Sequence, residues 1–95
     1  MFIILINYTK PIEEVNAVVA EHRAYLDTLY AKDKLICSGR RSTLTGGVLL
    51  SHAKTKEEIE EIIKNDPYNL KGVAEYEVIE FTPGKHHENF KTFIE

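Results

Sequence analysis

The chain opens on Phe2-Ile3-Ile4-Leu5-Ile6-Asn7-Tyr8, which is apolar at odd and even positions alike. A β-branched and aromatic run of this kind predicts a strand covered on both faces. From Ile12 onward the period lengthens: Ile12, Val15, Val18, Val19, Leu26 and Leu29 recur at helical spacing. Thr9-Lys10-Pro11 marks the start of that helix. Pro11 suits the first turn, and Glu13 and Glu14 suit the positive end of the helix dipole. The helix is expected to end near Lys32 to Lys34. Leu35-Ile36-Cys37-Ser38-Gly39 then reads as a second strand running into Arg40-Arg41. Thr45-Gly46-Gly47-Val48-Leu49-Leu50-Ser51-His52 reads as a turn and third strand, and the short polar link makes the two strands a hairpin with Gly46-Gly47 at its turn. Thr55-Lys56-Glu57-Glu58 has the form of a capping box, a hydroxyl followed three residues later by a carboxylate. It opens a second helix whose apolar stripe is Ile59, Ile62 and Ile63. Pro67 stops that helix, because its ring disfavours helical geometry in the residue before it. Val73 to Phe81 is the fourth strand. Pro83-Gly84 begins a polar tail to Glu95, with a short helical turn around Asn89 to Phe93.

The order β-α-β-β-α-β is the split-βαβ, ferredoxin-like pattern of the α+β class, with two helices on one face of a four-stranded antiparallel sheet. The other face would carry alternate residues of Phe2 to Tyr8 and of Leu35 to Gly39. Helices can cover only one side of the two-sided first strand, so a second copy of the chain is the expected cover of the other, giving a homodimer closed as a dimeric α+β barrel.

Composition narrows the functional classes. A chain of 95 residues is expected to make one domain with a limited core, for which oligomerisation is a natural supplement. The formal charge of −3 argues against a nucleic-acid binder, which would show a basic face. Cys37 is the one cysteine, so no internal disulfide forms, which suits a reducing cytoplasm. The opening apolar run is far shorter than the roughly 20 residues needed to span a bilayer. It also lacks the basic region and cleavage site of a signal peptide, so no membrane association is expected.

Two polar residues sit where the apolar pattern does not call for them. His22 falls four residues after Val18 and four before Leu26, inside the stripe of the first helix. Asp66 lies three residues past Ile63, on the buried side of the second, and begins Asp66-Pro67-Tyr68. Both helices face the same sheet. A carboxylate that meets an imidazole fixes its tautomer and orientation, and leaves the other ring nitrogen to take or give a substrate proton. The competing structural reading is a satisfied core histidine and an aspartate capping its own turn.

Other groups carry weaker signals. Ser38 lies beside Gly39, where backbone can approach a ligand closely, and Tyr68 follows the aspartate closely enough to close a pocket or donate a hydrogen bond. Arg40 and Arg41 offer forked donors to a carboxylate or phenolate. Adjacent strand residues point to opposite sides, so at most one faces inward. Cys37 has no base nearby in sequence and reads as a small hydrophobe. His52, His86 and His87 do not have the spacing of a zinc site, so no metal is expected. Gly46-Gly47 is not followed by a helix and is no phosphate loop. The run Glu57, Glu58, Glu60 and Glu61 is a solvated helix face.

These features together resemble the YCII-related family of small bacterial proteins. The resemblance rests on a first strand ending in Tyr8, His22 within EHRAYLDTLYAKDKLICSG, the hairpin LTGGVLLS, and DPYNLKGVAEYEVIEF. It covers nearly the whole chain and implies one YCII-like domain over residues 1–95, with 83–95 as a tail. It implies a fold similar to the dimeric α+β barrels, a group that includes small isomerases and monooxygenases. It also implies a histidine–aspartate centre, which maps onto His22 and Asp66 as catalytic residues; Ser38, Gly39, Arg40 and Tyr68 are the candidate substrate-binding residues read from the chain itself. One activity in the family is elimination of chloride from a chlorinated hydroxyquinol. The chain departs from the family pattern where members carry Gly-Pro after the second strand: here Gly39 is followed by Arg40, which changes the pocket rim and favours an anionic ligand.

Two functional readings follow. In the first the protein is an enzyme that uses no metal or organic cofactor, with His22 as general acid or base and Asp66 as its partner, performing elimination or isomerisation on a small aromatic or carbonyl-bearing molecule. In the second the same pocket holds a small ligand without converting it, or the dimer serves as a platform for other proteins.

Overall fold

The computed structural model describes residues 1–94. Its elements run β1 (Phe2–Tyr8), α1 (Ile12–Asn16), α2 (Val19–Ala31), β2 (Leu35–Arg40), β3 (Gly46–Ser51), α3 (Lys56–Lys64), α4 (Pro67–Leu70) and β4 (Ala74–Glu80), followed by a 3-10 helix over Glu88–Phe93. The four strands form one antiparallel sheet in the order β2-β3-β1-β4. The β-α-β-β-α-β order of the α+β, ferredoxin-like class is therefore the observed one.

The strand register sorts side chains onto two faces. Ile4 pairs with Leu49 and with Val78, and Ile6 with Gly47 and Tyr76, so these share the helix-covered face. On that face Phe2, Ile4 and Ile6 are almost completely buried against Val15, Val18, Leu26, Leu29, Ile59 and Ile62. Each such side chain contributes about 1.5–3 kcal/mol relative to an exposed position. The opposite face has no helix over it. Ile3 pairs with Leu50 and Ile79, and Leu5 with Val48 and Glu77. Of these apolar side chains Ile3, Leu5, Val48 and Leu50 are half-buried, and Ile79 is exposed.

The first helix expected from the stripe is two helices. The Val18 N–H bonds back to the Val15 carbonyl, three residues away, at 3.0 Å, which tightens the turn and separates α1 from α2. The adjacent β-branched Val18 and Val19 are weak helix formers, so the break falls where propensity is lowest. Val15, Val18, Leu26 and Leu29 are buried as the stripe requires, whereas Ile12 is 44% exposed.

The hairpin turn also differs from expectation. The chain reverses through Arg41 to Leu44, closed by Leu44 N–H to the Arg41 carbonyl at 2.9 Å, and Leu44 itself takes φ 61. Gly46 and Gly47 belong to β3. Gly46 is needed there for space: a Cβ would overlap the carbonyl of Ile6 on β1.

Thr55 caps α3 as expected, its Oγ1 accepting from the Glu58 N–H at 3.2 Å, while Glu58 Oε2 accepts from the Lys54 N–H at 3.0 Å. Pro67 does end α3, but it also opens α4 at the first helical position, with Asp66 as the cap. That second role places the aspartate.

Candidate functional site

Asp66 is held in extended backbone, φ −67 and ψ 127, between two helices. Its Oδ1 accepts from the Tyr68 backbone N–H at 3.0 Å, which caps α4. The same oxygen accepts from Nδ1–H of His22 at 2.8 Å, across 44 residues of sequence. Both partners are buried, His22 to 7% and Asp66 to 1% relative exposure. Since a carboxylate oxygen accepts, Nδ1 carries the proton of this bond. The structural and the functional readings of Asp66 are thus not alternatives: one oxygen caps the turn and orients the ring.

Tyr68, two residues further on, lies parallel to the imidazole, with ring centroids 3.9 Å apart and planes 9° apart. Tyr8 meets Tyr68 edge-on at 5.9 Å. Burial and then the neighbouring Tyr8 push the Tyr68 phenol up to about 12, so it is a neutral hydroxyl at physiological pH. Tyr25 ties α2 to α3 by donating to the Ile62 carbonyl at 2.7 Å. Burial, followed by Asp66 and Glu61, raises its pKa to about 12. Tyr76 on β4 faces Asp66 without closing a short hydrogen bond to it, and burial and that carboxylate push its pKa upward. The aspartate is therefore surrounded by neutral phenols and one imidazole.

His22 lines a cavity of about 220 Å³ between α2 and the β2–β3–β1 part of the sheet. Ile6, Val19 and Leu49 supply apolar wall, and Tyr8 and Tyr68 aromatic wall. Ser38, Gly39 and Arg40 enter it from β2. The register explains this placement: Ser38 pairs with Leu49 and Arg40 with Gly47, so both share the helix-side face. Tyr30 of α2 donates to Ser38 Oγ at 2.8 Å, which leaves the serine proton free for another acceptor. Arg41, by strand alternation, faces the other side, where it donates to Asn7 Oδ1 at 2.9 Å. All six residues expected around the site, His22, Asp66, Ser38, Gly39, Arg40 and Tyr68, are found at or immediately behind this one cavity.

Sequence reasoning missed Arg23, Tyr8 and Val19, which also line the cavity. Tyr8 closes a strand and Val19 was assigned to the stripe; no signal marked either as a lining residue. Arg23 follows His22 directly and could have been found from that adjacency.

Cys37 pairs with Leu50 on the uncovered face and is exposed, away from His22. His52 lies across a different cavity, Nε2 3.3 Å from Asp33 Oδ1 and edge-on to Phe93 of the 3-10 helix at 5.7 Å. The tail thus packs near Met1, Lys34 and His52, and His86 and Phe90 do not line the His22 cavity. Among the described residues no three His, Cys, Asp or Glu side chains converge as metal ligands. Among them no helix is long and apolar enough to cross a membrane.

A four-stranded antiparallel sheet with its helices packed on one face is the fold of a small α+β protein. The chain belongs to the YCII-related family, whose model matches residues 1–82. Among solved structures it is similar to 5-chloro-2-hydroxyhydroquinone dehydrochlorinase from Burkholderia phenoliruptrix AC1100, determined in complex with 2,5-dihydroxybenzoquinone. The two share 23% identity with a TM-score of 0.70, over 94% of this chain and 98% of that one, a likeness of fold. No curated protein matches the chain.

Proposed function

We propose that this protein is an acid–base enzyme acting on a small molecule, with His22 and Asp66 as its working pair. The observation that carries the reading is the 2.8 Å bond from His22 Nδ1–H to a buried Asp66, made by a histidine that lines a cavity. Asp66 holds the tautomer in which Nε2 is the free base, and it stabilises the imidazolium formed when Nε2 takes a proton. Tyr68 holds the ring plane by stacking. In the step itself, Nε2 removes a proton from an O–H or C–H of the substrate and the electron pair moves into the adjoining ring or carbonyl system. In an elimination a leaving group departs with its bonding pair as an anion, and the proton passes from His22 to solvent. In an isomerisation His22 returns the proton to a different carbon. No metal or organic cofactor enters either sequence.

The solved relative acts on 5-chloro-2-hydroxyhydroquinone, which makes elimination of chloride from a chlorinated hydroxyquinol the first reaction to test. A homodimer, closed through the uncovered sheet face bearing Ile3, Leu5, Val48 and Leu50, is part of the same proposal.

The test is release of chloride from 5-chloro-2-hydroxyhydroquinone, together with His22-dependent exchange of substrate C–H protons for deuterium across a panel of phenols and carbonyl compounds. Turnover or exchange that falls about 10²–10⁴-fold in His22→Gln supports the base role. Compounds that stabilise the protein yet are neither converted nor exchanged make it a binding module instead.

A further inference from the structure

We infer that Arg23 and Arg40 form an anion-binding rim on the His22 cavity, and that its substrate is a single-ring compound carrying a carboxylate. The inference rests on the reading of that cavity as the active site and adds the class of molecule it takes.

Three observations carry it. First, Arg23 of α2 and Arg40 of β2 are the permanently charged residues among those lining the cavity, and no carboxylate lines it. Second, among the described residues neither guanidinium has a carboxylate within ion-pairing distance, although acidic residues outnumber basic ones by 15 to 12 in the chain. Arg41, the neighbour of Arg40, has a polar partner in Asn7, whereas Arg40 is left open at the cavity. Third, the two arginines come from separate elements, α2 and β2, that pack against each other and both reach this one cavity. The Arg23 charge is felt inside, where it acts against the rise in the Tyr68 pKa. Two unpaired cations at a cleft mouth with apolar walls concentrate anions there, and forked guanidinium donors fit a planar carboxylate.

The rest of the cavity sets the body of the ligand. A cavity of roughly 150 Å³ is enough for benzene, so about 220 Å³ holds one ring with its substituents. The walls of Ile6, Leu49 and Tyr68 suit a flat apolar ring. Ser38, whose oxygen already accepts from Tyr30, has its own proton to donate to a ring hydroxyl or carbonyl. A carboxylate anchored at the rim therefore places the ring beside Nε2 of His22.

The experiment is an NMR titration with 2,5-dihydroxybenzoate and with hydroquinone, which differ by the carboxylate, read on the His22 ring and Ser38 amide signals. It is run on the wild type, Arg23→Gln, Arg40→Gln and the double variant. Both arginines are exposed, so folding is expected to survive, and an unchanged amide spectrum away from the cavity checks that. The expected result is a preference of about tenfold for the carboxylate compound, the sum of two exposed ion pairs. The preference should weaken with added salt and close in the double variant. Equal affinity for the two compounds overturns the inference. So does a preference that survives in the double variant, or no binding of the carboxylate at millimolar concentration. The readout does not need turnover. Carboxylate binding through the arginines in a protein that neither converts nor exchanges any compound refutes catalysis and leaves the rim standing. Turnover of neutral substrates alone refutes the rim and leaves the catalytic reading standing.

Discussion

His22 and Tyr68 lie face to face, 3.9 Å between ring centroids, although 46 positions separate them in the chain. The stack exists because Asp66 turns the chain between α3 and α4 and caps the short helix that carries Tyr68. One carboxylate oxygen therefore sets both the tautomer of the imidazole and the position of the ring that flanks it.

That double duty separates two substitutions of the same residue. Asp66→Asn keeps an oxygen able to accept from His22 Nδ1–H and from the Tyr68 N–H but removes the charge. The fold should survive with a loss of about 1 kcal/mol, while any His22-dependent turnover falls sharply. Asp66→Ala leaves two buried donors unpaired and removes a helix cap, for a loss of about 2–4 kcal/mol by urea denaturation. Equal stability of the two variants would show that the capping bond has no weight.

Tyr68→Phe should retain the stack, whereas Tyr68→Leu should lose about 0.5–1.5 kcal/mol of ring–ring interaction and free the imidazole. The check is the side-chain relaxation of His22 by NMR alongside the melting temperature. A His22 ring no more mobile in Tyr68→Leu than in the wild type would remove the positioning role given to this stack.

Alkaline stability follows from the phenols. Tyr25 and Tyr68 are raised from the ordinary value of 10.0 to about 12, Tyr25 and Tyr68 both chiefly by burial. The unfolded chain releases these protons near pH 10, while the folded chain keeps them to about pH 12. The native state therefore binds more protons in that window, and stability, intact below pH 10, declines as pH rises from 10 to 12. Denaturation curves at successive pH values should show this fall, and Tyr25→Phe should make it shallower. An unaltered slope in Tyr25→Phe would show that this phenol is not the source.

The uncovered sheet face makes the dimer testable. Leu50 pairs with Ile3 and Cys37 in the middle of that face, so Leu50→Lys should convert a sedimenting dimer into a folded monomer. A wild-type monomer at micromolar concentration would sink the proposed dimer outright.

Much of the fold was legible before the structure. The change from an all-apolar run at Phe2 to a helical period after Ile12, and the Thr55 capping box, are local signals, and local hydrogen bonding enforced them. The breaks were harder to read. Val18 and Val19 looked like stripe residues, and the tighter turn between α1 and α2 comes from a bond three residues back that an apolar pattern does not encode. Glycine at position 46 looked like turn chemistry, but what it answers to is the Ile6 carbonyl on another strand.

The site shows the same division. The sequence by itself put His22 on the buried face of its helix and Asp66 on the buried side just past the end of α3, because helical spacing decides which side of a helix meets the sheet. It determined too that at most one of Arg40 and Arg41 points inward, because side chains alternate along a strand. The tertiary structure alone decided that it is Arg40, through the register of β2 on β3. It alone brought the Asp66 oxygen that caps α4 to His22, and Arg23 to the cavity that Arg40 also lines. Each of these is a distance between separate elements. Such distances are set by how the side chains of two helices and a sheet interlock, which no local pattern contains.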